Sequence, residues 1–267
     1  MSAMDYIVAL ISTLGHDVAH PGINNRFLVN SRDPLAAIYN DISVLENMHC
    51  SKLYEIMSRP NSDILGSLLV SDWQKLRKSI IDMILVTDLV KHFSLLGTFR
   101  SRSSGISDIL LEVEEDRFMV QLMILKCSDI GHSSKPTDLH EKWSNLVCEE
   151  FFRQGDLEKQ VNLPISMYCD RETTDIPKSQ IGFLKGISQP LFEALGAFLN
   201  SDTFTQNCVE QVKRNIAFWE KKAFMRRSSL PHTRKSLLGK LPKLKSHLPK
   251  FDIDNPAPAE SLPDFSA

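Results

Sequence analysis

WQKLRKSIIDMILVTDLVKHF, residues 73–93, is the stretch that decides the fold. Leu76, Ile80, Met83, Ile84 and Val90 recur along it at helical spacing, so one face is apolar and the other carries lysine, arginine and aspartate. The pattern predicts a long amphipathic helix from Trp73 to Phe93. The same period appears on both sides. Ile7, Leu10, Ile11 and Leu14 form one face that ends at Gly15, and the stretch from Asp33 to Met57 opens on Asp-Pro and carries Leu35, Ile38, Tyr39, Ile42 and Leu45. Further helices are expected at 118–129, 139–154, 178–199 and 203–225, with a turn at Gly131–Pro136. Two-residue alternation of the kind a strand needs is not evident. The fold class is all-α, a compact multi-helix domain.

Helical patterning stops near residue 226, which divides the chain into a helical body, 1–225, and a tail, 226–267. The net charge of −2 is unevenly spread, because Ala223 to Lys250 contains Lys and Arg but no acid. A basic, then proline-rich segment cannot bury enough apolar surface to offset its ordering entropy, so the tail is expected to be disordered. The charge run reads as a solvated tail and gives no warrant for a nucleic-acid partner. Residues 98–112, with Ser101, Ser103, Ser104 and Gly105, are expected to form a mobile loop. Five scattered cysteines without a C-x-x-C pair suit reduced thiols in a cytoplasmic protein. No apolar run is long enough for a membrane-spanning helix, and the N-terminal stretch lacks the basic region of a signal peptide. Arg226-Arg227-Ser228-Ser229 matches what a basophilic kinase reads, making Ser228 or Ser229 candidates for phosphorylation beside an unmodified-linker reading.

The residues able to do chemistry are densest at His16-Asp17-Val18-Ala19-His20-Pro21-Gly22-Ile23-Asn24-Asn25. Adjacent His and Asp with a second His beyond them are costly to place after an apolar helix unless something binds them. Imidazole nitrogen with carboxylate oxygen suits zinc or another borderline divalent ion. Taken alone, the cluster is compatible with either a metal site or a satisfied structural group. Cys127-Ser128-Asp129-Ile130-Gly131-His132 ends another apolar helix, and Asp129 becomes a third ligand if it faces His16 and Asp17. Two more polar groups, Ser43–His49 and Thr87-Asp88, need partners of their own on otherwise apolar helices.

HDVAHPGINNRF resembles the signature of class I 3′,5′-cyclic nucleotide phosphodiesterases. YNDISVLENMH, ILVTDLVKHFSLL, KCSDIGHSSKP, VCEEFFRQGDLEKQ and PISMYCDRETTDIPKSQIGF follow in that family's order at compatible spacing, from about Ile7 to Glu220. The resemblance implies an HD-type all-α fold and hydrolysis of a cyclic nucleotide (cAMP, cGMP or both) to the 5′-monophosphate. It implies His16, Asp17 and Asp129 as ligands of a zinc-like ion, with Asp17 shared with a second ion, Mg2+ or Mn2+. His20 is implied to orient water and phosphate, and Glu46, Thr87 and Asp88 to belong to the metal's water shell. Gln180 is implied to hydrogen-bond the purine, Phe183 and Val147 to clamp it, and Phe151 and His132 to line the same pocket.

The resemblance also implies a segment of the form His-Asn-x-x-His-Ala-x-Asp-Val upstream of His16, whose first histidine is the general acid and whose second is a further zinc ligand. No histidine precedes His16. An N-terminally truncated phosphodiesterase is therefore expected, with little turnover from these residues alone. The alternative is an inactive relative that binds nucleotide or a partner. His132 stands where family members differ between Asn and His, which leaves the choice between cAMP and cGMP open.

Overall fold

The computed structural model describes residues 2–103 and 109–228. Within the compact unit Met1–Met225 the elements are helical, and the described residues contain no strand. The helices are α1 (Ala3–Gly15), α2 (Asn25–Asn30), α3 (Pro34–Ile38), α4 (Val44–Met57), α5 (Val70–Leu85), α6 (His92–Ser103), α7 (Glu114–Asp129), α8 (Thr137–Gln160), α9 (Ile176–Phe183), α10 (Gln189–Leu199), α11 (Asp202–Phe204) and α12 (Glu210–Ser228). Short 3-10 turns cover Leu89–Lys91 and Gly131–Ser134. Single π-helical turns join α9 to α10 (Leu184–Ser188) and α11 to α12 (Thr205–Val209). No described helix is long and apolar enough to cross a membrane.

Two principal cores lie on either side of α7. Val8, Ile11, Met57, Leu76, Ile80, Met83 and Ile84 pack with Leu125 of α7. Val120, Met123 and Cys127, from other faces of α7, pack with Phe99, Leu184, Leu191, Phe192, Val212 and Trp219. A smaller cluster of Leu28, Ala36, Val44, Leu45 and Met48 holds α2, α3 and α4 together. Being apolar on more than one face, α7 is fixed from several directions. Its last residue, Asp129, is correspondingly well anchored.

The ends of several elements differ from the sequence expectation. The 73–93 helix starts earlier and stops at Leu85, because the Asp88 carboxylate accepts from Val90 N (2.9 Å) and caps a new turn. Val90 and Phe93 are accordingly exposed rather than on a buried face. The 33–57 helix divides into α3 and α4, since Asn40, Asp41 and Ser43 take left-handed φ of 53°, 62° and 44°, and Ile38 and Ile42 point to solvent. In α1 the buried positions are Val8, Ile11, Ser12 and Gly15, so Leu10 and Leu14 leave the expected face. Residues 98–103 continue α6 instead of opening a loop. Ser104 and Gly105, the tail beyond Ser228, and Ser229 lie outside the described residues. Ser228 is the last residue of α12.

Candidate functional site

His16 follows directly on α1 as its C-cap. Its Nδ1 lies 2.8 Å from the Thr13 carbonyl, which can only accept, so Nδ1 carries hydrogen and Nε2 is directed to the carboxylates. Nε2 is 3.4 Å from Asp129 Oδ1 and 3.5 Å from Asp17 Oδ2. The ligand atoms of His16, Asp17 and Asp129 all lie within 4.8 Å of one another. Asp129, reinforced by the Thr13 carbonyl and the charge of Asp17 against the opposing effect of burial, raises the His16 imidazole to about 9. Without a metal, a proton on Nε2 therefore balances the two acids. A divalent cation fits the same point, because the donor set is one imidazole and two carboxylates held from behind by a backbone carbonyl.

His49 repeats the arrangement from α4. Its Nδ1 donates to Val18 O (2.8 Å), and its Nε2 is 3.7 Å from Asp17 Oδ1. Burial pushes this imidazole down, so it faces Asp17 as a neutral ring. His20 stacks on His49 at 5.6 Å, and its Nδ1 accepts from Gly22 N (3.0 Å). That bond leaves Nε2 as the His20 donor. Gly22 makes the return possible with φ +75°, a value few other residues adopt.

Glu46, Thr87 and Asp88 do not line the cleft and have other partners. Asn25 Nδ2 donates to Glu46 Oε2 (2.9 Å) while its Oδ1 accepts from Leu45 N (2.8 Å), so one side chain orients Glu46 and ties down α4. Burial raises the Glu46 carboxyl, opposed by Asn25 and reinforced by Asp88. Asp88 is buried and accepts from Ser43 Oγ (2.7 Å). The Thr87 hydroxyl donates to Ile84 O (2.7 Å), and the Thr87 carbonyl accepts from Lys126 Nζ (2.9 Å). Lys126 is 1% exposed; burial lowers its pKa, while the charges of Asp129, Asp88 and Glu46 oppose that. Its ammonium group sits among the acids of this region, fixed by the Thr87 carbonyl.

His132, Val147, Phe151, Gln180 and Phe183 line one cavity of about 250 Å³, together with Cys148 and Tyr168. The close approach of the 163–169 loop to α8 depends on Gly155, where a Cβ would meet Cys169 O at 1.9 Å. Glu158, buried on α8, accepts from Ser166 N (2.7 Å), Ser166 Oγ (2.6 Å) and Gln154 Nε2 (3.0 Å). Gln154 Oε1 in turn accepts from Asn24 N (2.8 Å), so a buried polar chain ties the His16–Asn25 loop to the loop carrying Tyr168. His132 lies parallel to His140 (5.3 Å, 4°) and to Phe183 (6.0 Å, 8°). Burial drives the His132 imidazole down to about 4, so the stack is neutral. Trp219 Nε1 donates to His140 Nε2 (2.8 Å), and His140 Nδ1 donates to His132 O (3.0 Å).

Asp17, His20 and Asp129 share a cleft of about 1400 Å³ with His132, Val147, Phe151 and Phe183. The acid–imidazole cluster and the aromatic wall thus open onto one volume. The sequence reading did not assign His49, Asn25, Lys126, Cys148 or Tyr168. Asn25 and His49 lay inside polar stretches that the sequence marks without giving either a role.

A family model described as 3′5′-cyclic nucleotide phosphodiesterase matches residues 1–212, which include every residue of both walls. The chain is 34% identical to the 3′,5′-cyclic-AMP phosphodiesterase 4C of Mus musculus over 86% of its own length and 34% of that protein. It is 38% identical to the dual 3′,5′-cyclic-AMP and -GMP phosphodiesterase beta of Plasmodium falciparum over 80% of its own length and 19% of that protein. The probable 3′,5′-cyclic-AMP phosphodiesterase pde-4 of Caenorhabditis elegans is 35% identical over 81% of the chain and 33% of that protein. The chain therefore spans between 19% and 34% of the length of these curated relatives.

Proposed function

Because the chain belongs to the 3′5′-cyclic nucleotide phosphodiesterase family, we propose that its cleft binds a 3′,5′-cyclic nucleotide and hydrolyses it to the 5′-monophosphate. The observation that carries this reading is the single cleft shared by Asp17, His20 and Asp129 on one side and Phe183, Val147 and Phe151 on the other. A purine needs a flat apolar slot with an amide at its edge, and a phosphodiester needs positive charge opposite its oxygens. One molecule of cyclic nucleotide presents both demands at once. The relatives with named substrates include one that acts on cAMP and one that acts on both cAMP and cGMP, so the purine is open on this reading.

His16, Asp17 and Asp129 would hold a zinc-like ion, and Asp17, the most exposed of the three, would also serve a second ion, Mg2+ or Mn2+. When bound, such a pair neutralises phosphoryl charge and supplies a nucleophile at neutral pH. The chain's own residues do the rest. His20, with Nδ1 occupied by Gly22 N–H, offers Nε2–H to a phosphoryl oxygen. Glu46, Thr87 and Asp88 belong to the cations' water shell on this reading, reached through water rather than from the cleft wall. Gln180 meets the edge of the base, and Phe183 and Val147 close on its faces. Residues 1–225 form the catalytic unit on this reading, in a cytoplasmic protein, and 226–267 a separate tail open to phosphorylation at Ser228 or Ser229.

The test is equilibrium binding of cAMP and cGMP to the purified chain with Mn2+ or Zn2+ present, followed by assay for 5′-monophosphate. Binding that is lost on Gln180→Ala and strengthened by metal is the expected result. Binding without turnover identifies a non-catalytic nucleotide-binding relative. No binding of either nucleotide in the presence of metal overturns the reading.

A further inference from the structure

Asn215 stands where the sequence pattern calls for an apolar residue. It lies inside α12, where asparagine is a poor helix former, and it shares a buried stripe with Val212, Ile216 and Trp219. Being fully buried, its amide has to find every partner within the protein. It does so. Nδ2 donates to Ser133 O (2.9 Å) and Lys135 O (3.0 Å), while Oδ1 accepts from Thr137 Oγ1 (2.8 Å) and Gln211 Nε2 (3.1 Å). An asparagine amide offers two donor hydrogens and two acceptor lone pairs, so its capacity is used in full. Three of those partners belong to one stretch, 133–137, where the turn after α7 leads into α8.

The same turn is tied a second time. Ser133 Oγ and Ser188 Oγ, both fully buried, lie 2.9 Å apart and share a hydrogen bond. Ser188 closes the π-helical turn that follows Phe183, and Ser133 follows His132, whose ring lies parallel to that of Phe183. The segments bearing the two rings are thus bonded to each other, and one of them is bonded to α12. Neither Asn215 nor either serine is among the residues that line the cavity. We propose that Asn215 is a positioning residue for the cavity of His132 and Phe183: it fixes the turn from behind, and the Ser133–Ser188 bond sets the His132 wall against Phe183. The proposal rests on the reading of this cavity as the seat of the base. Asp129 is held instead by the packing of α7 between two cores, so the role of Asn215 is confined to the base end. An amide that only stabilised the fold would leave the affinity of the folded protein unchanged.

Asn215→Asp keeps the size and the acceptor, but turns an oxygen toward the carbonyls of Ser133 and Lys135 in place of the two donors. Val212→Ala is the control: it trims the same buried face of α12 and has no hydrogen bond to the turn. Dissociation constants are to be measured on the full chain for cAMP and cGMP with Mn2+ present, and for Mn2+ alone. Asn215→Asp is expected to weaken whichever nucleotide the wild type binds by about tenfold or more, the scale of two lost hydrogen bonds. Its Mn2+ affinity should stay within about threefold of wild type, and so should all affinities of Val212→Ala, whatever its loss of stability. Unchanged nucleotide affinity in Asn215→Asp, an equal loss of Mn2+ affinity, or the same nucleotide loss in Val212→Ala overturns the proposal. Should the buried carboxylate prevent folding, Ser133→Ala and Ser188→Ala test the second tie. Each is expected to weaken nucleotide binding about threefold to fivefold, and the double variant no further than either alone, because both remove one bond. Additive losses, or none, would refute the positioning role. Failure of the underlying reading looks different: wild type binds neither nucleotide.

Discussion

The two ends of the cleft are organised by different forces. At the acid end the functional atoms are charged and partly exposed, with the Asp17 side chain 62% accessible, and order comes from behind through backbone carbonyls and one side-chain amide. Thr13 O fixes His16, Val18 O fixes His49, and Asn25 fixes Glu46. At the base end the groups are neutral and packed, and order comes from contact, with His140, His132 and Phe183 in a parallel stack pinned by Trp219. The first arrangement is incomplete without an added cation and tolerates exposure. The second is largely complete in itself and depends on staying dry. A substitution at one end should therefore leave the other nearly unaffected, and that independence can be tested.

The largest expected effect is Asp129→Asn. It removes a charge from the three-donor cluster and the principal support for protonated His16, so affinity for Zn2+ or Mn2+ should fall by about 100-fold or more in a metal titration. Metal-free nucleotide affinity should hold. A parallel loss of both would show that the ends are coupled. Next is Phe183→Ala, which removes an aromatic wall worth about 1–3 kcal/mol to a stacked base and should weaken nucleotide binding by about tenfold or more. Metal affinity measured in the same way should not change.

The smallest is a pH effect confined to the base end. His132 is held near 4 in the folded chain, against an ordinary value near 6.5. Above the unfolded value both states are neutral and its contribution is complete. As pH falls, the unfolded chain takes up a proton first, and stability is lost until the folded ring protonates near 4. Going from pH 7 to pH 5.5 should cost about 1 kcal/mol through this residue, read by denaturant unfolding of wild type against His132→Asn. Equal pH slopes in the two would mean that the His132 ring is not kept neutral by burial.

The helical period was most legible in α5 and α10, where apolar spacing reports directly on the faces that become buried, and misleading in α8, where Leu139, Trp143, Leu146 and Leu157 are exposed while His140, Ser144 and Glu158 are buried. Element ends were less legible. The break before α4 depends on Asn40, Asp41 and Ser43 entering left-handed backbone, and the break after Leu85 on the Asp88 cap, and neither choice changes the apolar pattern. His16-Asp17 stood out because a polar pair ends an apolar helix. That Asp129 comes within 3.4 Å of His16 depends on α1 packing against α7, which no local pattern records. His49 and Lys126 went unassigned for the same reason. Their partners are the carbonyls of Val18 and Thr87, 31 and 39 residues away, and a carbonyl has no sequence signature.

The π-helical turn at Leu184–Ser188, where Gln189 N–H reaches back to Leu184 O, starts immediately after Phe183. It holds one residue more than an α-helical turn would, and the widened turn absorbs that surplus, so the face bearing Gln180 and Phe183 stays in helical register with the face by which Leu191 and Leu195 enter the core. Deleting a single residue such as Gly186 would restore plain α-helix with little change in that register, whereas deleting one residue from the regular helix beside it would rotate one face against the other by about 100°. The core of α10 could then remain seated while the amide and the ring swing out of the cavity. Tolerance to a lost residue is thus local to this turn, and one residue lost from the regular helix next to it can blind the pocket in a protein that still folds.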